Sequence, residues 1–170
     1  MNKMQEIYLE KVVLNIGIGS TETKYDAAKT VLERITGHKP YPTRAKRRYP
    51  EFSIRKNQII GAAVTLRGKE AKEMLEKALD AVNNKIQEKS ITNNTFSFGI
   101  SEYIYLPNMK YDPSIGMFGL HVHVTFARKG KRVEERKRMR GEVKRRHKII
   151  KPEEIKDYLI KNFNTKIVSE

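Results

Sequence analysis

Between Leu120 and Ala127 the side chains alternate, with Leu120, Val122, Val124 and Phe126 on one side and His121, His123 and Thr125 on the other. A period of two belongs to a strand with one buried and one solvated face, because successive side chains of an extended chain point in opposite directions. The pattern recurs at 11–18, where Val12, Leu14, Ile16 and Ile18 oppose Val13, Asn15 and Gly17. It recurs again at 60–67, where Ala62, Val64 and Leu66 oppose Ala63, Thr65 and Arg67. Between these segments the apolar spacing becomes helical. Ala27, Ala28, Val31, Leu32 and Ile35 mark a helix over 26–36, with Asp26 in its first turn or at its cap and Gly37 and Pro40 as stop signals. Ala71, Met74, Leu75, Ala78, Leu79, Val82 and Ile86 mark a longer one over 69–86. Half-solvated strands interleaved with amphipathic helices specify an α+β fold, a mostly antiparallel sheet with helices packed on one face and the opposite face open. Asn15, Thr65, Arg67, His121, His123 and Thr125 then share the open face, which is polar.

The other segments are less regular. Residues 40–46 read as a short edge strand, where proline is tolerated, and 97–106 as a strand in which Glu102 interrupts the face of Phe98, Ile100, Ile104 and Leu106. Residues 107–118 form a long loop containing Met109 and Met117. Residues 133–148 permit a helix that Gly141 breaks, and Pro152 opens a final helix carrying Ile155, Leu159 and Phe163. A length of 170 residues fits a single domain, 1–170.

Charge narrows the function. The net charge is +15, but it is local: residues 39–56 carry +6, residues 128–151 carry +10, and the remainder sums to −1. A basic loop at about 43–56 and a basic insert at about 128–151 are places for a polyanion. Nucleic acid fits better than membrane, since neither stretch has the Trp/Phe/Leu face of an interfacial helix. No apolar run approaches the roughly 20 residues of a membrane span, and nothing at the start resembles a signal peptide, so a soluble intracellular chain is expected. The absence of cysteine excludes disulfides, thiolate zinc sites and cysteine nucleophiles.

Motifs for catalysis are lacking. Gly17-Ile18-Gly19 begins like a dinucleotide fingerprint, but Glu22 stands where the third glycine belongs, and a tight strand-to-helix turn is the better reading. His121-x-His123 offers two imidazoles where zinc usually takes three or four protein ligands, and His38 and His147 have no ligand-like spacing. No nucleophile elbow or metalloprotease motif occurs. No cofactor, metal or enzymatic activity is expected. The basic loop says more: Tyr41, Tyr49 and Phe52 interleave with Arg44, Lys46, Arg47, Arg48, Arg55 and Lys56. Cations neutralise phosphates and aromatic faces stack on unpaired bases. Packing beneath the loop is the competing role for Tyr41 and Phe52.

These residues resemble a known family, the universal large-subunit ribosomal protein that binds 5S rRNA and is conventionally numbered five. The resemblance is carried by KVVLNIGIG at 11–19, ITGHKPYPTRAKR at 35–47, FSIRKNQIIGAAVTLRG at 52–68, EMLEKAL at 73–79, YIYLP at 103–107 and GMFGLHVHVTFA at 116–127. The short N-terminus and the insert RVEERKRMRGEVKRRHK at 132–148 resemble the archaeal form. The resemblance implies an α+β fold whose sheet and adjacent loops dock on 5S rRNA and fix it in the central protuberance of the large subunit, in the cytoplasm. Carried over by position, the RNA-recognition residues fall on Asn15, His38, Phe52 and Thr65; His38 departs from the family's usual glutamine. Lys39, Arg44, Lys46, Arg55, Lys56 and Arg67 supply the surrounding positive charge for rRNA. The family's basic loop reaches toward peptidyl-site tRNA, which assigns Arg47, Arg48 and Tyr49 to that contact. Large-subunit rRNA, neighbouring large-subunit proteins and small-subunit ribosomal protein thirteen are the other implied partners, with no membrane. On the residues alone, two rival classes stay open: a general basic nucleic-acid-binding protein, and a metal-dependent RNA hydrolase using His121 and His123.

Overall fold

In the computed structural model, which describes residues 3–107 and 109–168, the alternating segments assemble into one six-stranded sheet. Its strands are β1 (Ile7–Gly17), β2 (Tyr41–Arg44), β3 (Ile59–Leu66), β5 (Ile91–Thr92), β6 (Thr95–Ile100) and β7 (Leu120–Arg128). They run in the order β2-β3-β1-β7-β6-β5, every neighbouring pair antiparallel. The long helices are α1 (Tyr25–Thr36), α2 (Gly68–Asp80) and α5 (Pro152–Phe163). One apolar cluster joins them to the sheet: Val12, Leu14 and Ile16, Val64 and Leu66, Val122, Val124 and Phe126 meet Val31 and Leu32, Leu75 and Leu79, Ile155 and Leu159. All of these are at most 3% exposed, whereas Thr65, His121 and His123 on the other face are exposed. The periodicity thus predicts both the elements and the side of the sheet that the helices cover.

Caps and bends follow local chemistry. Gly37 ends α1 in the left-handed region and donates its N–H to the Glu33 carbonyl. Pro152 occupies the first turn of α5, where its missing N–H costs nothing. Tyr158 of α5 meets Phe126 edge to face, ring centroids 5.3 Å apart, and Glu154 takes a two-pronged hydrogen bond from Arg128 of β7 at 2.9 and 2.7 Å.

Three segments depart from expectation. The helix expected over 69–86 stops at Asp80, because Asn83 and Asn84 adopt left-handed backbone that turns the chain back. Ile86 is buried from a three-residue strand, β4 (Lys85–Gln87), which pairs in parallel with β8 (Lys166–Val168). The strand expected over 97–106 runs Thr95–Ile100 instead; Glu102 precedes a 3-10 turn at Tyr103–Tyr105 and so interrupts no strand face. Residues 133–148 form two single-turn helices, α3 (Arg132–Glu135) and α4 (Arg145–Lys148), separated by an irregular loop. No helix among the described residues is long and apolar enough to cross a membrane.

Candidate nucleic-acid interface

The register of the strands fixes what the open face presents. Tyr41 lies opposite Ala63, Ala63 opposite Asn15, Asn15 opposite His121 and His121 opposite Gly99, a row across five strands. The next row runs from Thr65 through Val13 and His123 to Ser97. Asn15 and Thr65 are therefore neighbours on one face, as alternation predicts, with His121 and His123 beside them. Beyond Asn15, toward the end of β1, the next pair is Gly17 and Gly61, and Gly99 stands in the Asn15 row beside His121; the Thr43 hydroxyl fills the space over Gly61. Glycine in a strand lets another backbone approach closely. His123, although exposed, is held below its ordinary value of 6.5, first by partial desolvation against the sheet and then by the charge of His121.

Three loops leave the sheet at that same end, since β1, β2 and β6 finish there and β3 and β7 begin there. The first, after Gly17, confirms the turn reading: Gly19 has φ +67°, left-handed backbone, and leads into a 3-10 turn before α1. The second, residues 45–58, is the basic loop, and it is folded rather than slack. Ala45 and Gln58 close its base at 2.9 Å, and Asn57 donates its N–H back to the Ala45 carbonyl. Tyr49 and Ile54 pair through two backbone hydrogen bonds of 2.9 and 3.1 Å around a turn at Pro50–Phe52. The Gln58 amide reaches the Ser20 carbonyl at 3.1 Å, tying this loop to the first. The third, residues 101–119, is fixed by Arg34 of α1, 2.9 Å from Asp112. Hydrogen bonds from Ser114, and then the bond and charge of Arg34, hold the Asp112 carboxyl below its usual range.

Exposure decides against packing beneath the loop, the alternative left open for Tyr41 and Phe52. Phe52 is 66% exposed, Tyr49 47% and Tyr41 48%, so none of them packs underneath. Lys46, Arg47, Arg48, Arg55 and Lys56 are exposed as well, and among the described residues none enters an ion pair. Arg44 turns back to the Asn57 carbonyl at 3.3 Å and braces the loop base. Other residues lie apart from this group. His38 and Lys39 follow α1 at the far end of the sheet, where the His38 Nε2 is 2.9 Å from the Glu70 carboxylate. Arg67 follows the last residue of β3, and its guanidinium lies 3.9 Å from Glu10. The face and loop thus bring together Asn15, Thr65, Tyr41 and the 46–56 cations, with His38, Lys39 and Arg67 along the opposite border.

The family described as ribosomal protein L5 matches residues 2–55, and the family describing the C-terminus of the same ribosomal protein matches residues 59–156. The chain belongs to the ribosomal protein L5 family. It is 43% identical over 169 residues to the large ribosomal subunit protein uL5 of Sulfurisphaera tokodaii, covering 99% of this chain and 96% of the relative. The protein of the same name from Nanoarchaeum equitans is 49% identical over 154 residues, 90% and 91% of the two chains. That of Methanobrevibacter smithii is 39% identical over 171 residues and matches both chains in full. All three organisms are archaea, in line with the archaeal character of the basic insert. The L5 family consists of structural ribosomal proteins, not enzymes. That leaves the paired histidines without a hydrolytic role, and among the described residues no cluster of three or more His, Asp or Glu could hold a metal ion.

Two structural features near the candidate interface escape a sequence reading. Tyr41 stands on the open face in the Asn15 row, visible in alternation only once its register with Ala63 is known. Glu10 sits at a bulge in β1, between Leu9 and Lys11. Its side chain is 8% exposed and takes the Lys131 ammonium, so a residue ahead of the strand read at 11–18 anchors the start of the basic insert.

Proposed function

We propose that this large-subunit ribosomal protein, at work in the cytoplasmic ribosome, binds 5S rRNA through the open sheet face and the basic loop and so helps anchor that RNA in the central protuberance. The observation that carries the reading is Phe52, two-thirds exposed at the turn of a cationic loop that backbone hydrogen bonds hold in shape. A solvent-facing phenylalanine costs solubility unless something stacks on it, and a pre-folded loop loses little entropy on binding. In this reading Asn15, His38, Phe52 and Thr65 contact unpaired or shaped RNA, while Lys39, Arg44, Lys46, Arg55, Lys56 and Arg67 place the phosphates. Arg47, Arg48 and Tyr49, exposed on the same loop, face peptidyl-site tRNA. Large-subunit rRNA, neighbouring large-subunit proteins and small-subunit ribosomal protein thirteen complete the partners, as family membership supports.

A salt titration of binding to 5S rRNA, beside a length-matched unrelated structured RNA from roughly 50 to 500 mM salt, tests this. Preference for 5S rRNA that survives high salt is the expected result. Equal and steep loss on both RNAs would leave only counterion release and sink the specific reading.

A further inference from the structure

The basic insert is built as a prong on a fixed frame. At its start, Lys129 pairs with Glu6 and Lys131 with Glu10. Burial opposes the charge of Lys131, yet the hydrogen bonds and charges of Glu10 and Glu135 outweigh it and raise its pKa. At its end, Asn94, in the turn between β5 and β6, grips residues 148–150: its side chain takes the Ile150 N–H at 3.0 Å and donates to the Lys148 carbonyl at 2.7 Å. Between these clamps residues 134–143 form a closed loop. Gly141 donates its N–H to the Val133 carbonyl at 3.1 Å and Val143 to the Glu134 carboxylate at 2.9 Å. Lys148 first, then the Val143 N–H and the charge of Arg140, hold that carboxylate ionised.

The tip of this loop is Lys137-Arg138-Met139. Met139 is 85% exposed, the largest exposure among the large hydrophobic side chains described. Its φ is +50°, sparsely populated for a residue with a Cβ, and the Arg136 guanidinium holds its carbonyl at 2.6 Å. Strained backbone persists where the surroundings over-determine it, often at a binding surface. Among the described residues, Lys137 and Arg138 are exposed and enter no ion pair. A bare thioether between unneutralised cations has little hydrogen-bonding capacity and no stacking face. It is slender and polarizable, and its sulfur accepts weakly from hydroxyls, which suits the wide, shallow minor groove of paired RNA, where 2′-hydroxyls and base edges lie between phosphate rows.

We propose that the loop 134–143 is a second RNA-binding element, which seats Met139 in the minor groove of a paired segment of large-subunit rRNA while Lys137 and Arg138 take the flanking phosphates. This does not depend on the sheet-face reading. The test compares the full chain with K137Q/R138Q and with Met139→Gly, using naked large-subunit rRNA free of 5S rRNA as the probe. Glycine keeps the left-handed backbone and removes only the thioether. The double variant should reduce the slope of log affinity against log salt by roughly two, one for each phosphate that no longer meets a cation. Met139→Gly should leave the slope unchanged and weaken binding several-fold at every salt concentration, while its melting temperature stays level or rises. Both variants should keep whatever preference for 5S rRNA the parent shows. An unchanged slope in the double variant, or parental affinity in Met139→Gly, overturns the proposal and points to a protein partner for the tip.

Discussion

Phe52 and His123 illustrate how single side chains divide the work between folding and recognition. Phe52 contributes little burial to the fold, so Phe52→Ala should leave the urea midpoint unchanged. The same substitution should cost 5S rRNA affinity by about 1–3 kcal/mol, the range for removing one stacking platform, as read by filter binding. His123 acts the other way round. Its pKa is lower in the folded protein than the ordinary 6.5, so near that value the folded state binds fewer protons than the unfolded chain. Its contribution to stability is complete above 6.5 and declines as pH falls through 6.5 toward the folded value. Urea denaturation between about pH 7.5 and pH 5 should show that decline, and His123→Gln should flatten it. His121→Asn should move the His123 titration upward, seen in its imidazole proton resonances, because it removes the second of the two causes.

At the scale of elements, the alternation in β1, β3 and β7 is enough to place Asn15 and Thr65 on one face, because a strand's two faces are set by parity alone. The short strands are not legible. β4 and β8 have three residues each, too few for a period, and Ile86 continues the spacing of the preceding helix so well that only the left-handed Asn83 and Asn84 reveal the break. Phe52 can be named from sequence but its exposure cannot, since an aromatic in a basic loop packs or protrudes according to loop geometry. Glu10 is hidden for a different reason: its partner Lys131 follows the neighbouring strand β7 but is 121 residues away in sequence, and no local pattern couples them. Register also makes a steric prediction. A Cβ built on Gly61 would lie 2.5 Å from the Ile16 carbonyl oxygen and 2.7 Å from the Thr43 hydroxyl, where three strands meet. Gly61→Ala should therefore destabilise by about 1–3 kcal/mol, the usual cost of overpacking, measured by urea unfolding.

For the whole molecule, the two family regions contribute strands to one sheet. β1 and β2 come from the region matched by 2–55, whereas β3, β6 and β7 come from that matched by 59–156, and the sheet interleaves them. β1 lies between β3 and β7, and a single apolar cluster runs from Val12 to Phe163. Each region thus supplies part of the same core. We therefore expect 1–170 to behave as one domain: far-ultraviolet and near-ultraviolet circular dichroism should report the same urea midpoint. Two separated transitions would show that the C-terminal helix or the insert melts independently.

The parallel pairing of β4 with β8 has a consequence for how the chain is made. Ile86 emerges from a translating ribosome long before Ile167, its partner across that pair, has been synthesised. The central strand β1 likewise waits for β7. Vectorial synthesis therefore leaves β4 without its partner strand until residues 166–168 have been made. The order in which the chain is made thus sets the order in which the sheets can close, with the β4–β8 pair the last to form.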